Sequence, residues 1–310
     1  MEILQQLLNA LPGSVSQGLI WGIMAIGVYI TFRILDVADL TVDGSFATGG
    51  VVAVMLILNG WNLWLAMLVA FIAGLLTGAI TGLLHTLMGI PPILAGILTQ
   101  LSLYSINLKL LGKANQSVNV NQTDLLVSLR WVRDFAFHNP LITVGLVTVI
   151  LIAVLYWFFG TEMGCALRAT GANLNMSRAQ GINTSFNKVL GIMLSNGLVA
   201  FSGAFLSQYQ GFADVKQGQG AIVIGLAAVI IGEAVFGKIF KNFALRLLSV
   251  SLGSIIYYIV VQTVITLGLD ANLLKLLSAV IVAIFLAIPY WKRQYKAKHM
   301  VKNKGGKANA

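Results

Sequence analysis

The chain has 310 residues, of which 58% are hydrophobic and only 10% charged, and its mean hydropathy is +0.87. Soluble domains carry charges on about a quarter of their residues, so this composition excludes an ordinary soluble domain and predicts an integral membrane protein. The formal net charge of +10 does not indicate nucleic acid, because seven lysines and arginines lie in the last nineteen residues. We interpret residues 291–310 as a basic cytoplasmic tail attracted to membrane lipid, with no nucleic-acid partner.

The N-terminus begins with an apolar helical stripe that Pro12 and Gly13 should end. Residues 1–10 are therefore expected to lie in the membrane interface. Residues 14–32 follow as a first span, since about 20 residues at about 1.5 Å each cross a hydrocarbon layer about 30 Å thick. Arg33 places the far end of this span on the cytoplasmic side, and the absence of basic residues before it argues against a cleaved signal peptide.

An acidic stretch separates this span from the next apolar run. Asp36, Asp39 and Asp43 precede residues 44–58, which at about 1.5 Å per residue reach only about 22 Å. Part of the acidic stretch should therefore enter the membrane as irregular backbone, as at the broken helices of transport sites. On this interpretation the three aspartates and Ser45 line a translocation pathway. The alternative is a cytoplasmic turn in which Asp43 caps the helix that begins at residue 44.

Further apolar runs give about nine membrane-spanning or partly spanning helices in all, and we predict an all-α, polytopic membrane domain over residues 1–290. The later runs are 63–84, 93–111, 141–159, 189–209, 221–236, 247–267 and 273–289. Alternating directions place the N-terminus outside and the C-terminus inside, with the basic connection 237–246 also inside. In the first of these runs, Gly74, Gly78 and Gly82 predict close packing against another helix.

The run 221–236 is also too short to cross alone, and the glycine-rich residues 211–220 precede it. Asp214 and Lys216 in that approach lie either at the mouth of a pathway or in an external turn. Glu233, near the end of the run, is either an interfacial carboxylate or a functional one.

A long polar interruption, residues 161–187, separates the fifth run from the sixth. Met163, Leu167, Thr170 and Leu174 recur at helical spacing and give one mostly apolar stripe, while arginine and asparagine side chains fall on a more polar side. Such a segment on the cytoplasmic surface is suited to docking into a groove of a partner protein. The alternative is a basic surface helix that merely connects two spans.

The run G-x-A-L-R-A-x-G-x-N from Gly164 to Asn173, followed by Gly181 and Ile182, resembles the cytoplasmic coupling segment of ABC-importer permeases of the branched-chain amino acid and ribose-type family. The motif D-L-T-V-D-G-S-F from Asp39 also resembles an acidic motif of ribose-type permeases, although it carries additional aspartates. The resemblance implies that residues 163–180 dock on an ATPase. The coupling residues would be Met163, Leu167, Arg168, Thr170, Gly171, Asn173, Leu174, Arg178 and Gly181.

The same resemblance implies the partners. They would be two separate ABC ATPase subunits, an extracytoplasmic solute-binding protein and a second permease subunit, most simply another copy of this chain. The chain itself would need no cofactor and no metal, and it would reside in the plasma membrane of a prokaryote with its C-terminus in the cytoplasm.

Enzyme motifs are missing from the sequence, which has three scattered histidines and one cysteine. Residues 232–238 have the spacing of a phosphate-binding loop, but Ile239 stands where Ser or Thr is needed, so we reject an ATP site. We therefore predict a transport subunit for a small solute, with amino acids as the leading class. The alternatives are an ion-coupled secondary transporter or channel that uses the aspartates, and a membrane scaffold without transport.

Overall fold

The computed structural model describes residues 2–118, 125–133 and 139–268, together with positions 273, 276, 279, 280, 282–284 and 287. This part of the chain is all-α apart from two short strands. Its helices are α1 (Glu2–Tyr29), α2 (Val42–Leu58), α3 (Leu63–Thr86), α4 (Pro92–Leu111), α5 (Pro140–Gly160), α6 (Glu162–Ala172), α7 (Leu174–Ala179), α8 (Thr184–Gln210), α9 (Ala221–Phe236) and α10 (Phe243–Thr266). A π-helical turn, Ile30–Ile34, extends α1, a 3-10 turn covers Leu129–Arg133, and the strands are β1 (Asn115–Ser117) and β2 (Phe212–Asp214).

Among the described residues, six helices are long and apolar enough to cross a membrane, and α2 and α9 are shorter apolar helices. These eight agree with the first eight predicted runs, so the all-α, polytopic prediction is confirmed. The ninth run, 273–289, lies largely outside the described residues. The predicted tail 291–310 lies wholly outside them.

The prediction that the first helix stops at Pro12 is wrong, because α1 continues through it. Proline removes one backbone donor, and membrane helices tolerate that loss when other bonds compensate. The hydroxyls of Ser14 and Ser16 donate to the carbonyl oxygens of Ala10 and Pro12, and not to the carbonyl of Leu8, which is the one that Pro12 leaves without a helical donor.

The core of the bundle lies around α1 and α8. In their most apolar windows 78% and 72% of the residues are buried, against 22% in α5, which faces outward. The glycine face predicted on α3 packs directly on α8. A Cβ at Gly74 or Gly78 would overlap the carbonyl oxygen of Asn196 or Ile192. Backbones can approach this closely only where side chains are absent, which is why α8 fits between its neighbours.

Two short strands close the end of the bundle at which α1 begins and α8 ends. The strands pair antiparallel, with Asn115 opposite Asp214, and Tyr209 donates a hydrogen bond to the carbonyl of Gly13 in α1. Val118 and Ala213 pack with Ile57 at the end of α2. The sheet therefore packs against the last turn of α2, a contact that the sequence did not predict.

Candidate functional site

The acidic stretch after α1 is irregular, as predicted. After the π-helical turn, residues 35–41 form no regular structure, and Asp36 has a left-handed backbone with φ of 55°. Asp36 is exposed, whereas Val37 is buried and its N–H donates to the carbonyl of Thr31. The chain thus turns inward immediately after Asp36, which itself stays at the surface.

Asp39 lies inside the bundle, only 3% exposed. One carboxylate oxygen accepts the backbone N–H of Thr41 at 2.9 Å, and the other accepts the side-chain amide of Asn196 at 2.6 Å. Asn196 lies in the middle of α8 and is fully buried. The contact therefore ties the start of α2 to the most enclosed helix of the bundle.

Hydroxyl groups extend this contact across four helices. The hydroxyls of Thr41 and Thr81 share a hydrogen bond of 2.7 Å, and Thr81 donates to Thr99 at 2.9 Å. Ser45 donates to the side-chain amide oxygen of Asn196 at 2.7 Å and shares a bond of 2.8 Å with Thr77. We call the connected set the polar cluster: Asp39, Thr41, Ser45, Thr77, Thr81, Thr99 and Asn196.

The members of the polar cluster are at most 5% exposed. In an apolar bundle each buried polar group needs a partner, since an unpaired one costs about 1–3 kcal/mol. Their mutual bonds meet that need without lipid or bulk water. The cluster is consequently a polar layer held inside the membrane domain, between α2, α3, α4 and α8.

Asp43 lies in the first turn of α2 but caps another helix. Its two carboxylate oxygens accept the backbone N–H groups of Gly220 and Ile222, each at 2.9 Å, at the N-terminus of α9. The alternative that Asp43 caps its own helix is therefore wrong. A carboxylate in this position satisfies donors that α9 cannot use internally and interacts favourably with the positive end of the helix dipole.

The two short helices therefore start beside each other and end at opposite ends of the bundle. The last turn of α2 packs with β2. Near the end of α9, Glu233 forms an ion pair of 2.9 Å with Arg33, which follows α1. The ion pair is partly exposed, so the structure favours the interfacial interpretation of Glu233. Neither short helix crosses the bundle alone, and their starts meet in its middle as a pair of discontinuous helices.

Asp214 lies apart from this centre. It is in β2, where its carboxylate accepts the backbone N–H of Lys216 at 2.6 Å. This geometry fits the turn interpretation. Of the predicted pathway residues, the structure brings Asp39 and Ser45 together, places Asp43 beside them on α2, and leaves Asp36 and Asp214 elsewhere.

The polar interruption forms α6 and α7, and each begins at a capping side chain. Thr161 accepts the N–H of Gly164, and Asn173 accepts that of Met176 at 3.0 Å. Asn183 does the same for α8. Polar caps of this type begin a helix where the chain would otherwise leave its first N–H groups unpaired. The spacing of the three caps divides residues 161–187 into two short helices and the start of α8.

The predicted apolar stripe divides between the interior and the surface. Leu167 and Thr170 are buried, and Asn187 of α8 lies within 3.4 Å of the Thr170 hydroxyl. Met163 remains 46% exposed, and Leu174 is half-buried. Leu167 and Thr170 therefore hold α6 on the bundle, and their side chains are not available to a partner.

The remaining predicted coupling residues lie mostly outward. Arg168 is exposed, yet its guanidinium donates to the carbonyl of Phe159 at 2.8 Å. Arg178 donates to the hydroxyl of Thr184 at 3.0 Å. Gly181 has φ of 80° in the turn before α8, and Gly171 packs on the end of the π-helical turn.

Residues that the sequence argument missed are the partners in the polar cluster. Thr77 and Thr81 lie on α3 four residues apart, on the face that carries the glycines. Polar residues on the small-residue face of an apolar span point toward other helices, and that signal could have identified them. Asn196 could have been singled out in the same way, as an amide in the interior of a predicted span.

The described fold is a polytopic α-helical membrane protein with a discontinuous centre, an architecture typical of transport proteins. Residues 11–289 match the family described as branched-chain amino acid transport system, permease component. The chain belongs to this family of multi-pass membrane permease components, and the family resemblance seen in its sequence is confirmed.

Individual relatives agree with this assignment. The chain is 36% identical over 272 residues to the tyrosine transport system permease protein of Clostridioides difficile (strain R20291), with 88% of each chain covered. It is 27% identical to the fructose import permease protein of Bifidobacterium longum (strain NCC 2705), covering 88% of this chain and 75% of that one. A solved inward-facing structure assigned to the metal-chelate type of ABC transporter has a TM-score of 0.51 at 16% identity, over 94% and 89% of the two chains. That likeness concerns the fold.

Proposed function

We propose that this chain is the membrane-spanning subunit of an ABC importer for a small solute. Two separate ATPase subunits dock on α6 and α7 from the cytoplasm and drive alternating access. An extracytoplasmic solute-binding protein delivers the solute to the opposite face, where β1 and β2 lie. A second copy of the chain completes the permease in the plasma membrane of a prokaryote, with the C-terminus in the cytoplasm.

The observation that carries this proposal is the exposed helix pair α6 and α7. The pair is short and capped at each start, and it is held on the bundle by a few buried side chains. On its outer side, Met163 and Met176 are 46% and 61% exposed beside the exposed Arg178. An apolar and basic surface of this kind fits a groove on a partner, and flexible methionines adapt to such grooves.

Contacts between α6 and the end of the π-helical turn could transmit a shift of α6 to the interior of the membrane domain. A Cβ at Gly171 would overlap the carbonyl oxygen of Ile34, and Leu35 fills the space beside Gly191 of α8. Asp39 of the polar cluster follows Leu35 by four residues. A shift of α6 against Ile34 would therefore move the loop that leads to the polar cluster, which is how docking at the surface would reach the discontinuous centre.

The decisive test is a charge placed on the outer surface of α7. In the assembled transporter, Met176→Glu should lower copurification of the ATPase subunits and ATP-dependent uptake by about tenfold or more, because a carboxylate enters an apolar contact. Met176 suits this test better than Arg168, whose guanidinium also bonds within the chain.

Met88→Glu is the matched control. Met88 is 70% exposed in the turn between α3 and α4, near the start of α8, where Lys188 lies 3.4 Å from His85. This variant should keep normal copurification and uptake. Full activity of Met176→Glu, or equal loss in both variants, would reject α7 as the docking surface. Solute accumulation driven by an ion gradient without any ATPase would instead establish the ion-coupled alternative.

We further propose that the solute is an amino acid, a choice supported by the family description and by the tyrosine transport system relative. Because another relative is a fructose import permease protein, uptake of an amino acid should be compared directly with uptake of fructose. Purified binding protein and reconstituted transporter should take up a labelled amino acid such as tyrosine and leave fructose outside. Uptake of fructose alone would overturn the amino acid assignment and keep the importer assignment.

A further inference from the structure

A cavity of about 890 Å³ opens beside α6, between the ends of α1 and α5 and the start of α10. Among the described residues, its lining contains four cationic side chains from different segments of the chain and no carboxylate. The cationic residues are Arg33, Arg168, Lys241 and Arg246. The cavity borders the proposed docking helices at Arg168, Gly171 and Ala172 of α6, whereas Met163, Met176 and Arg178 do not line it.

The charges in this basic cavity are incompletely balanced. Arg33 pairs with Glu233 at 2.9 Å, which is the ion pair found in the described part of the chain. Arg168 is held by the carbonyl of Phe159 and lies over the Phe243 ring, 5.8 Å from its centroid. Neither Lys241 nor Arg246 pairs with a carboxylate among the described residues. Like charges gathered in one concave surface favour a bound anion.

The N-terminus of α10 adds partial positive charge at the cavity. It has 24 residues and starts at the cavity with Phe243. Asn242 precedes it without forming a side-chain cap, and its first turn holds no acidic residue. The free N–H groups and the positive end of the helix dipole are therefore directed toward the region where Lys241 and Arg246 lie.

The rim of the basic cavity is aromatic. Tyr156 and Trp157, in the last turns of the apolar helix α5, line the cavity and are 49% and 70% exposed. Tyrosine and tryptophan concentrate at the level of lipid headgroups, where one side of the ring meets apolar chains and the polar atom meets water. A cavity that is basic inside and aromatic at its rim fits a ligand with a charged head and apolar tails.

We propose that the basic cavity binds the phosphate group of an anionic phospholipid from the adjacent leaflet. Lys241 and Arg246 contact the phosphate oxygens together with the start of α10, and the acyl chains lie along the outer face of α5. A lipid seated here would also contact α6, since Arg168 and Gly171 line the same cavity.

Native mass spectrometry of the intact, detergent-purified permease, titrated with a short-chain phosphatidylglycerol, tests the proposal. The double variant Lys241→Gln with Arg246→Gln should bind this lipid about tenfold more weakly than the wild type, since each basic residue near an anionic headgroup contributes to binding. Phosphatidylcholine should show no such difference. Each single variant should fall between the two, which keeps the test valid if the double variant unfolds.

The matched control removes the same charge elsewhere. Lys238→Gln with Lys109→Gln changes two exposed lysines that do not line the cavity, and it should bind phosphatidylglycerol as the wild type does. Equal loss in both double variants, or no loss in either, would overturn the site. Binding of inorganic phosphate that displaces phosphatidylglycerol would assign the cavity to free phosphate and overturn the lipid. None of these outcomes depends on ATPase docking, so the Met176 experiment can fail or succeed independently.

Discussion

Asp43 shows how a single side chain joins the two short helices of this protein. Its position in the first turn of α2 lets its carboxylate reach the first N–H groups of α9, whose N-cap, Gly220, has no side chain to do so. Gly220 also has φ of 87°, a conformation in which a side chain would be strained. The cap of α9 is therefore supplied from 177 residues away in the sequence.

Replacing Asp43 should destabilise the junction between α2 and α9. We expect Asp43→Asn to lower the free energy of unfolding by about 1–2 kcal/mol, because the amide keeps one acceptor, adds an unneeded donor and loses the charge that the helix dipole favours. Thermal unfolding of the purified protein in detergent measures the change.

Asp36→Asn is the control for that variant, since Asp36 is exposed and asparagine tolerates its left-handed backbone. The change at this surface position should stay within about 0.5 kcal/mol. Equal stability of the two variants would contradict the capping role of Asp43.

At the scale of the element, small residues decide which helices become central. The face of α3 that carries Gly74 and Gly78 meets the backbone of α8 around Ile192 and Asn196. This close approach also brings Thr77 within 2.8 Å of Ser45 in the polar cluster. The glycine spacing and the cluster are thus parts of one packing arrangement.

A single methyl group should have opposite effects at two glycines. We expect Gly78→Ala to destabilise the protein, because the added Cβ overlaps the backbone of α8 at Ile192 and Met193. Gly145→Ala in α5 should be neutral or stabilising by up to about 1 kcal/mol, since the nearest atom, in Leu19, is 4.0 Å away and alanine favours the helix.

Thermal unfolding of both variants beside the wild type distinguishes packing from helix propensity. If both glycines respond alike, then close packing is not what requires Gly78. Only Gly78→Ala should lower the unfolding temperature, and comparing the two variants in the same detergent cancels any shift that the detergent causes in both.

At the scale of the whole molecule, the proposed function requires α6 and the β1 and β2 sheet to face opposite sides of the membrane. The structure places them at opposite ends of the bundle, since α8 begins beside α6 and α7 and ends beside β2. Cys165 of α6 is exposed and is the chain's one cysteine. It therefore serves as a natural reporter of sidedness.

We expect a membrane-impermeant maleimide to label Cys165 in inside-out vesicles and not in spheroplasts, with the ATPase subunits absent. In a Cys165→Ser background, Gln116→Cys on β1 should give the reverse pattern. Labelling of Cys165 from outside the cell would contradict the cytoplasmic location of α6 and, with it, the proposed ATPase docking.

The sequence by itself determined the membrane class, the positions of eight apolar helices and the family. These are local properties. A long run of apolar residues partitions into lipid whatever lies beside it, and an apolar run too short to span the hydrocarbon layer needs a second segment to complete the crossing. The glycine face of α3 was also readable, because its four-residue spacing is a property of one helix.

Only the tertiary structure decided which polar groups meet. Asp39 and Asn196 are 157 residues apart, and the sequence around neither residue indicates that the two side chains form a hydrogen bond. The burial of Leu167, which shares a helical stripe with the exposed Met163, likewise depends on how α6 lies against the bundle. Inside an apolar bundle a polar side chain must find its partner across helix interfaces, and those interfaces are set by packing of the whole chain.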